Sequence, residues 1–432
     1  MGSGLPSVEK ALRKGDLFSK RNNSAGELGD GIGIGAQRIT MSESPFSRSK
    51  SFWSLLIILL AGFGVIGWMF YQSMKQARYV EVAPGSGTHI QLESHGKQGV
   101  TYSYQESKGG NFKQQSNAEI LGEIPWSVGA LFCFLLALVF MVGRDVAYMW
   151  RIRLLTKKEL SWRRSFRVIM LWEFASALSP GVVGGSAVAM FILHRERINL
   201  GRSTAIVVLT ALMDNLFYVC SIPIVFLFVS MADVLPGEPA DYGSLGSLFW
   251  WGYLIVLIVT VFLFASIFLF PELILRVLLF FFQIPWLKRW RAAAIKTGED
   301  IALAARTWKE ESWTFWLKSF LATVLSWTSR YLVVNSLLAA FLFLSWGEHL
   351  FVLGKQLILW LLMLVSPTPG ASGVAEFAFG EIMSDLGASA LIITLVALIW
   401  RLISYFPYLL IGLLILPGWM RKTKAPIKPL DS

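Results

Sequence analysis

The sequence predicts an all-α polytopic membrane protein with about six transmembrane helices and two re-entrant helical hairpins that form an inverted pseudo-repeat. Three observations carry this reading. The 432 residues are 55% hydrophobic and only 16% charged, mean hydropathy is +0.57, and the apolar residues come in long runs. Two pairs of shorter apolar runs are broken at Ser179-Pro180-Gly181 and at SPTPG, residues 366–370. The basic loops all fall on one side of the bilayer only if both broken pairs turn back.

Residues 1–50 are polar and rich in Gly, Ser, Lys and Arg, and read as a disordered cytoplasmic tail. Residues 51–71 hold the first span, about Phe52–Tyr71. The polar stretch 72–124 reads as an extracytoplasmic loop, where THIQLES and VTYSYQE alternate as a small hairpin would. The transmembrane domain, 125–420, opens with a span at about Trp126–Trp150. Near its end, Arg144 and Asp145 read as interfacial snorkelling. Arg151–Arg167 follows, with seven basic residues and one acid.

VIMLWEFASAL and VVGGSAVAMFIL come next, each about a dozen residues where a spanning helix needs about 20. They make either one broken crossing helix or a hairpin that dips in and returns. His194–Arg202 has three arginines and one acid. A span at about Thr204–Met231 leads to ADVLPGEPADYGSLG, with three acids and no Lys or Arg. A span at about Leu248–Leu275 leads to Pro285–Ser312, with six basic residues and four acids. Only a hairpin places the three basic segments together and the acidic loop opposite. A span at about Trp313–Leu344 runs outward. Phe351–Val365 and Ala371–Met383 form the second short pair. A span at about Ala388–Leu416 returns to the basic tail 421–432, so both termini are cytoplasmic.

The hairpins enter from opposite faces, and SPGVVGGSAVAMF aligns with TPGASGVAEFAFG. Irregular backbone at membrane depth is tolerated only inside protein or along a wet cavity. Paired breaks in an inverted repeat point to a transporter's binding site. The candidate substrate-binding residues at the breaks are Pro180, Gly181 and Gly184, with Pro369, Gly370 and Gly373. Half-helix N-termini after each Pro-Gly would turn N–H groups on an anion. The intramembrane charges Glu173, Asp214, Arg330, Glu376 and Arg401 complete the set. Each is costly in lipid and should face a cavity or a partner, with Asp214–Arg401 or Glu173–Arg330 as candidate pairs. They either bind substrate or tie the two repeats together.

Several classes are excluded. Cys133 and Cys220 form no CxxC, and His89, His95, His194 and His349 have no metal-ligand spacing. HExxH, Walker A, GxSxG and a strand-helix GxGxxG are absent. The reading is of a non-enzyme with no cofactor and no metal. The net charge of +11 sits in short loops, where it sets topology and meets anionic lipid heads rather than nucleic acid.

SPTPGASGVAEF resembles the Pro-Gly-Gly-x-Gly-x-x-Glu signature of the lysylphosphatidylglycerol synthase transmembrane-region family, which includes flippase-like proteins. SPGVVGGSAVAMFILHR resembles the family's first-half motif, and Asp214 occupies the place of its acid. The similarity covers roughly Trp126–Trp419. Ala375 stands where the family often has Arg, Ser186 follows Gly184-Gly185 where Gly-Glu is common, and ALMDN lacks the usual arginine. The chain ends 13 residues after Trp419, so the resemblance implies the membrane half without the soluble synthase domain. It also implies movement of an anionic or amino-acid-modified phospholipid, or a lipid-linked headgroup, across a bacterial inner (cytoplasmic) membrane. Backbone N–H groups after Pro180 and Pro369 would bind phosphate, Arg330 and Arg401 would neutralise it, and Glu173, Asp214 and Glu376 would balance charge or bind an amine. The expected partner is a membrane phospholipid; a homo-oligomer or an envelope-enzyme partner stays open. A non-transporting scaffold and an integral-membrane transferase are the alternatives.

Overall fold

The computed structural model describes residues 127–179, 181–230, 242–270, 272–284, 291–364 and 366–422, residue 234, and shorter stretches between 63 and 122. The expected tail at 1–50, most of the first span, Pro180 and residues 423–432 lie outside the described residues.

Among the described residues, six short strands stand in the polar stretch before the membrane domain. β1 (Arg78–Glu81), β6 (Phe112–Gln115), β2 (Gly87–His89) and β5 (Ser107–Gly110) form an antiparallel sheet in that order, and β3 (Leu92–Ser94) pairs with β4 (Tyr102–Tyr104). Beyond them the described chain is helical. Ahead of the strands, Phe63 and Trp68 are helical; Phe63 stacks on Phe406 at 4.7 Å and Trp68 lies 6.2 Å from Phe377.

α1 (Val128–Leu155) starts at Ser127, whose Oγ accepts the Ala130 N–H at 3.1 Å. The segment 151–167, expected as a basic loop, is mostly helix. It comprises the last turn of α1, a tight turn in which Lys157 and Lys158 take φ of 50° and 65°, and the start of α2 (Trp162–Leu178). Ser161 caps α2 by accepting the Arg164 N–H. After the first break comes α3 (Gly181–Arg195). With 17 and 15 residues, α2 and α3 are about 25 and 22 Å long. Both exceed the expected dozen residues and still fall short of the roughly 30 Å hydrocarbon core.

α4 (Leu200–Phe226) is capped by Asn199. α5 (Tyr242–Phe264) runs into a π turn at Ala265–Leu269, followed by α6 (Leu273–Phe281), α7 (Arg291–Lys309) and α8 (Trp313–Ala339). The second half continues with α9 (Trp346–Leu364), α10 (Val374–Ile382), α11 (Ala390–Ser404) and α12 (Phe406–Lys422).

Among the described residues, five segments are long and apolar enough to cross a membrane: α1, α4, Phe249–Leu269, α9 and Ala390–Arg421. α8 has 27 residues, but Ser319, Thr323, Ser326, Arg330 and Asn335 lower its hydropathy. The sequence reading started the second short pair at Phe351. α9 instead begins at Trp346, because the Glu348 carboxylate accepts the Ser345 N–H at 2.7 Å while Ser345 Oγ accepts the Glu348 N–H at 3.4 Å. The second pair is therefore unequal, with 19 residues in α9 and nine in α10. The last expected span is interrupted at Tyr405 (φ −131°, ψ −58°). Pro407 accounts for the break, since its ring collides with the carbonyl four residues back.

One apolar core joins both halves. α1 packs along α8, and α2 lies against α3 and α12.

Candidate substrate cavity

The two Pro-Gly breaks meet. The Gly370 N–H donates to the Ser179 carbonyl at 3.4 Å. Tyr405, at the interruption between α11 and α12, donates its hydroxyl to the Ala177 carbonyl at 3.2 Å and accepts from Ser372 Oγ at 3.2 Å. Backbone geometry at the second break explains its composition. Gly370, Ala371 and Gly373 have φ of +57°, 54° and +86°, a region that disfavours side chains. A Cβ on Gly370 would also lie 2.6 Å from Tyr405 Cε2. Glycine there serves both the turn and the close approach of the ring.

A cavity of about 330 Å³ lies against these tips. Its charged lining is Arg144, Glu173, Asp214, Arg330 and Arg401, and its walls include Trp172, Trp327, Trp360 and Trp400. A smaller one of about 80 Å³ adjoins Tyr148, Arg151, Thr210 and the same two carboxylates, Glu173 and Asp214.

Three ion-pair groups surround this space. Arg401 Nε donates to Glu376 Oε1 at 2.6 Å, with the two side chains 3% and 0% exposed. The other Glu376 oxygen accepts the Gly373 N–H at 2.6 Å, and Arg401 also reaches the Gly370 carbonyl and Ser372 Oγ. Arg144, 1% exposed, donates to Glu173 at 2.8 Å and to Asp145 at 3.0 Å. Tyr408 accepts from Arg144 and donates to Asp145 at 2.7 Å. Arg151 pairs with Asp214 at 2.5 Å and 3.4 Å, and Trp327 Nε1 donates to the same carboxylate at 2.8 Å. Charges so placed in a low-dielectric interior need partners of this quality.

The expected residues are distributed as follows. Glu173, Asp214, Arg330, Gly370 and Arg401 line the cavity, Pro369 stands between the lining residues Thr368 and Gly370, and Glu376 anchors Arg401. Gly373 caps α10, while Gly181 and Gly184 open α3. Neither expected ion pair forms. Asp214 pairs with Arg151 rather than Arg401, and Glu173 with Arg144 rather than Arg330, because one face of α1 brings Arg144 to the main cavity and Arg151, seven residues on, to the smaller one. Arg144 is therefore a buried partner and not an interfacial snorkel. The anion expected at the α10 N-terminus is supplied by the chain itself, since Glu376 takes the Gly373 N–H. Arg330 has no carboxylate at ion-pair distance among the described residues and lies 5.4 Å from the Trp327 ring centroid.

The sequence reading gave Arg151 no role at the site and took Arg144 for an interfacial snorkel. Counting would have flagged them: the three acids Glu173, Asp214 and Glu376 stood against only two arginines, Arg330 and Arg401, and Arg144, Tyr148 and Arg151 share one face of a span. Among the described residues, no group of three or more His, Cys, Asp or Glu side chains is placed to hold a metal ion.

The family model described as the lysylphosphatidylglycerol synthase TM region matches residues 111–412. A UPF0104 membrane protein of Archaeoglobus fulgidus is 26% identical over 311 residues, covering 67% of this chain and 88% of the relative. No solved structure matches.

Proposed function

Because the chain belongs to the lysylphosphatidylglycerol synthase transmembrane-region family, we propose that it is a flippase-like transporter that moves a phospholipid or lipid-linked headgroup, anionic or amino-acid-modified, between leaflets. One observation carries the reading: the two Pro-Gly breaks touch beside a cavity whose charges come from both halves of the repeat. Broken helices that meet at an interface between repeats suit a site reached from either side in turn. In this reading α2–α3 and α9–α10 are re-entrant, both termini are cytoplasmic, and the membrane is the bacterial inner membrane.

The headgroup occupies the 330 Å³ cavity. Arg330, the lining arginine without a carboxylate partner among the described residues, meets its phosphate. Arg401 adds positive potential but stays tied to Glu376. The tryptophan walls accept the glycerol and upper acyl region. Glu173 and Asp214, each 24% exposed, face an amine where the headgroup carries one.

Leaflet exchange in proteoliposomes tests this. The purified protein is reconstituted with a panel of fluorescent phospholipids, and the inner-leaflet fraction is read by dithionite quenching. Exchange above protein-free vesicles for at least one lipid supports a transporter. Background exchange across the panel from folded protein refutes it and favours the scaffold.

A further inference from the structure

The charge arrangement around Arg144 is unbalanced. One guanidinium, 1% exposed, serves two carboxylates, Glu173 on α2 and Asp145 beside it on α1. Tyr408 of α12 adds a hydroxyl and no charge. The other charged groups facing this space are Arg151 of α1, paired with Asp214 of α4; Arg401 of α11, paired with Glu376; and Arg330 of α8, which lines the same cavity over Trp327 and makes no ion pair with Asp145 or Glu173. Tyr148 packs beneath both Arg144 and Arg151 without altering the count. Counted by its own ion pairs, the Arg144 group carries one surplus negative charge, shared by Asp145 and Glu173, which are 21% and 24% exposed; a charge among helices is costly unless it meets a partner or cavity water.

Two further atoms are left over. Thr210 is 5% exposed, its Oγ1 has no hydrogen-bond partner, and it lines both cavities. Arg144 Nε, also buried, has none either. Buried polar atoms are satisfied by protein or by ordered water. The 80 Å³ cavity beside Thr210 and Glu173 exceeds the roughly 10–15 Å³ that a single water needs. Water there would link the main cavity to the Glu173 carboxylate.

We propose that lipid movement is coupled to protons through the Asp145/Glu173 pair on Arg144; this rests on the transporter reading above. In one state the pair takes a single proton from cavity water. An O–H bond forms on one carboxylate, the surplus charge is neutralised, and Arg144 keeps an ion pair with the other. When the cavity faces the opposite side, that O–H bond breaks and the proton leaves to water. One proton crosses per cycle and no further reactant is needed.

Two readouts test this. The first does not depend on transport: infrared difference spectra of the purified protein between acid and neutral pH. The expected result is a protonated-carboxyl carbonyl band lost in both Asp145→Asn and Glu173→Gln, because either amide removes the surplus charge. Both variants leave Arg144 one carboxylate, which preserves the fold. A wild-type band unchanged by both substitutions overturns the proposal. The second readout uses fluorescent phosphatidylglycerol in vesicles of phosphatidylglycerol and phosphatidylethanolamine, with an imposed pH gradient and the membrane potential clamped to zero. One-to-one coupling gives a leaflet asymmetry of about tenfold per pH unit. Exchange that proceeds but ignores the pH gradient, or follows a sodium gradient instead, overturns the coupling and leaves the transporter reading standing. No exchange in any arm overturns both.

Discussion

Glu376 and Arg401 form the most deeply buried ion pair described, with side chains 0% and 3% exposed and a 2.6 Å contact. Removing either partner strands a charge in the interior. Glu376→Ala and Arg401→Ala should each cost about 3–5 kcal/mol. Replacing both by apolar residues of similar size, Glu376→Leu with Arg401→Met, removes the desolvation penalty together with the attraction. What remains is the lost acceptor for the Gly373 N–H, worth about 1 kcal/mol, and the lost donor to the Gly370 carbonyl and Ser372 Oγ, two long contacts worth about 1 kcal/mol each at most. The double variant should therefore be more stable than either single one, measured as unfolding free energy in mixed micelles titrated with sodium dodecyl sulfate. A double variant that loses the sum of the two single losses would refute the pairing argument, since independent sites add.

Other outcomes follow from the same geometry. Gly370→Ala places a methyl group against the Tyr405 ring at a φ of +57°, at about 1–2 kcal/mol for the left-handed backbone and roughly 1–3 for overpacking; thermal unfolding should show a lowered midpoint. Tyr408→Phe removes the hydroxyl shared by Arg144 and Asp145 and should cost about 1–3 kcal/mol by the same titration. Arg151→Gln leaves Asp214 with Trp327 as its remaining donor and should destabilise by about 2–3 kcal/mol, below a fully buried pair because Asp214 is 24% exposed.

Much of the scaffold was legible because it is written in local signals. Apolar runs mark the spans, and Pro-Gly at 180–181 and 369–370 marks the breaks, since the pair lacks a backbone donor at Pro and frees the backbone at Gly. The extra turns of α2 and α9 were hidden because capping by Ser161 and by Ser345 with Glu348 carries polar residues into helix, against the hydropathy pattern. The interruption at Tyr405 lay within an apolar run whose Pro407 was the only warning. Within the site, the intramembrane charges were visible as a set and their pairing was not. Arg144 meets Glu173 across 29 positions and Arg151 meets Asp214 across 63, so partner choice depends on which face of α1 turns inward. The sequence aligned the two breaks as repeats, but only the fold shows Gly370 donating to Ser179.

The central claim is that the cavity beside the two breaks is where lipid headgroup binds. Arg330 tests it most directly, because this residue lines the cavity and has no carboxylate partner among the described residues. Arg330→Ala should change stability by only about 1 kcal/mol, the scale of its contact with Trp327. The decisive measurement is the leaflet-exchange rate of this variant beside the wild type, in proteoliposomes matched for folded protein. The account predicts a fall of about tenfold or more, the effect of losing one charged hydrogen bond to phosphate, roughly 1.5–3 kcal/mol. A variant that folds normally and exchanges lipid at the wild-type rate would contradict it.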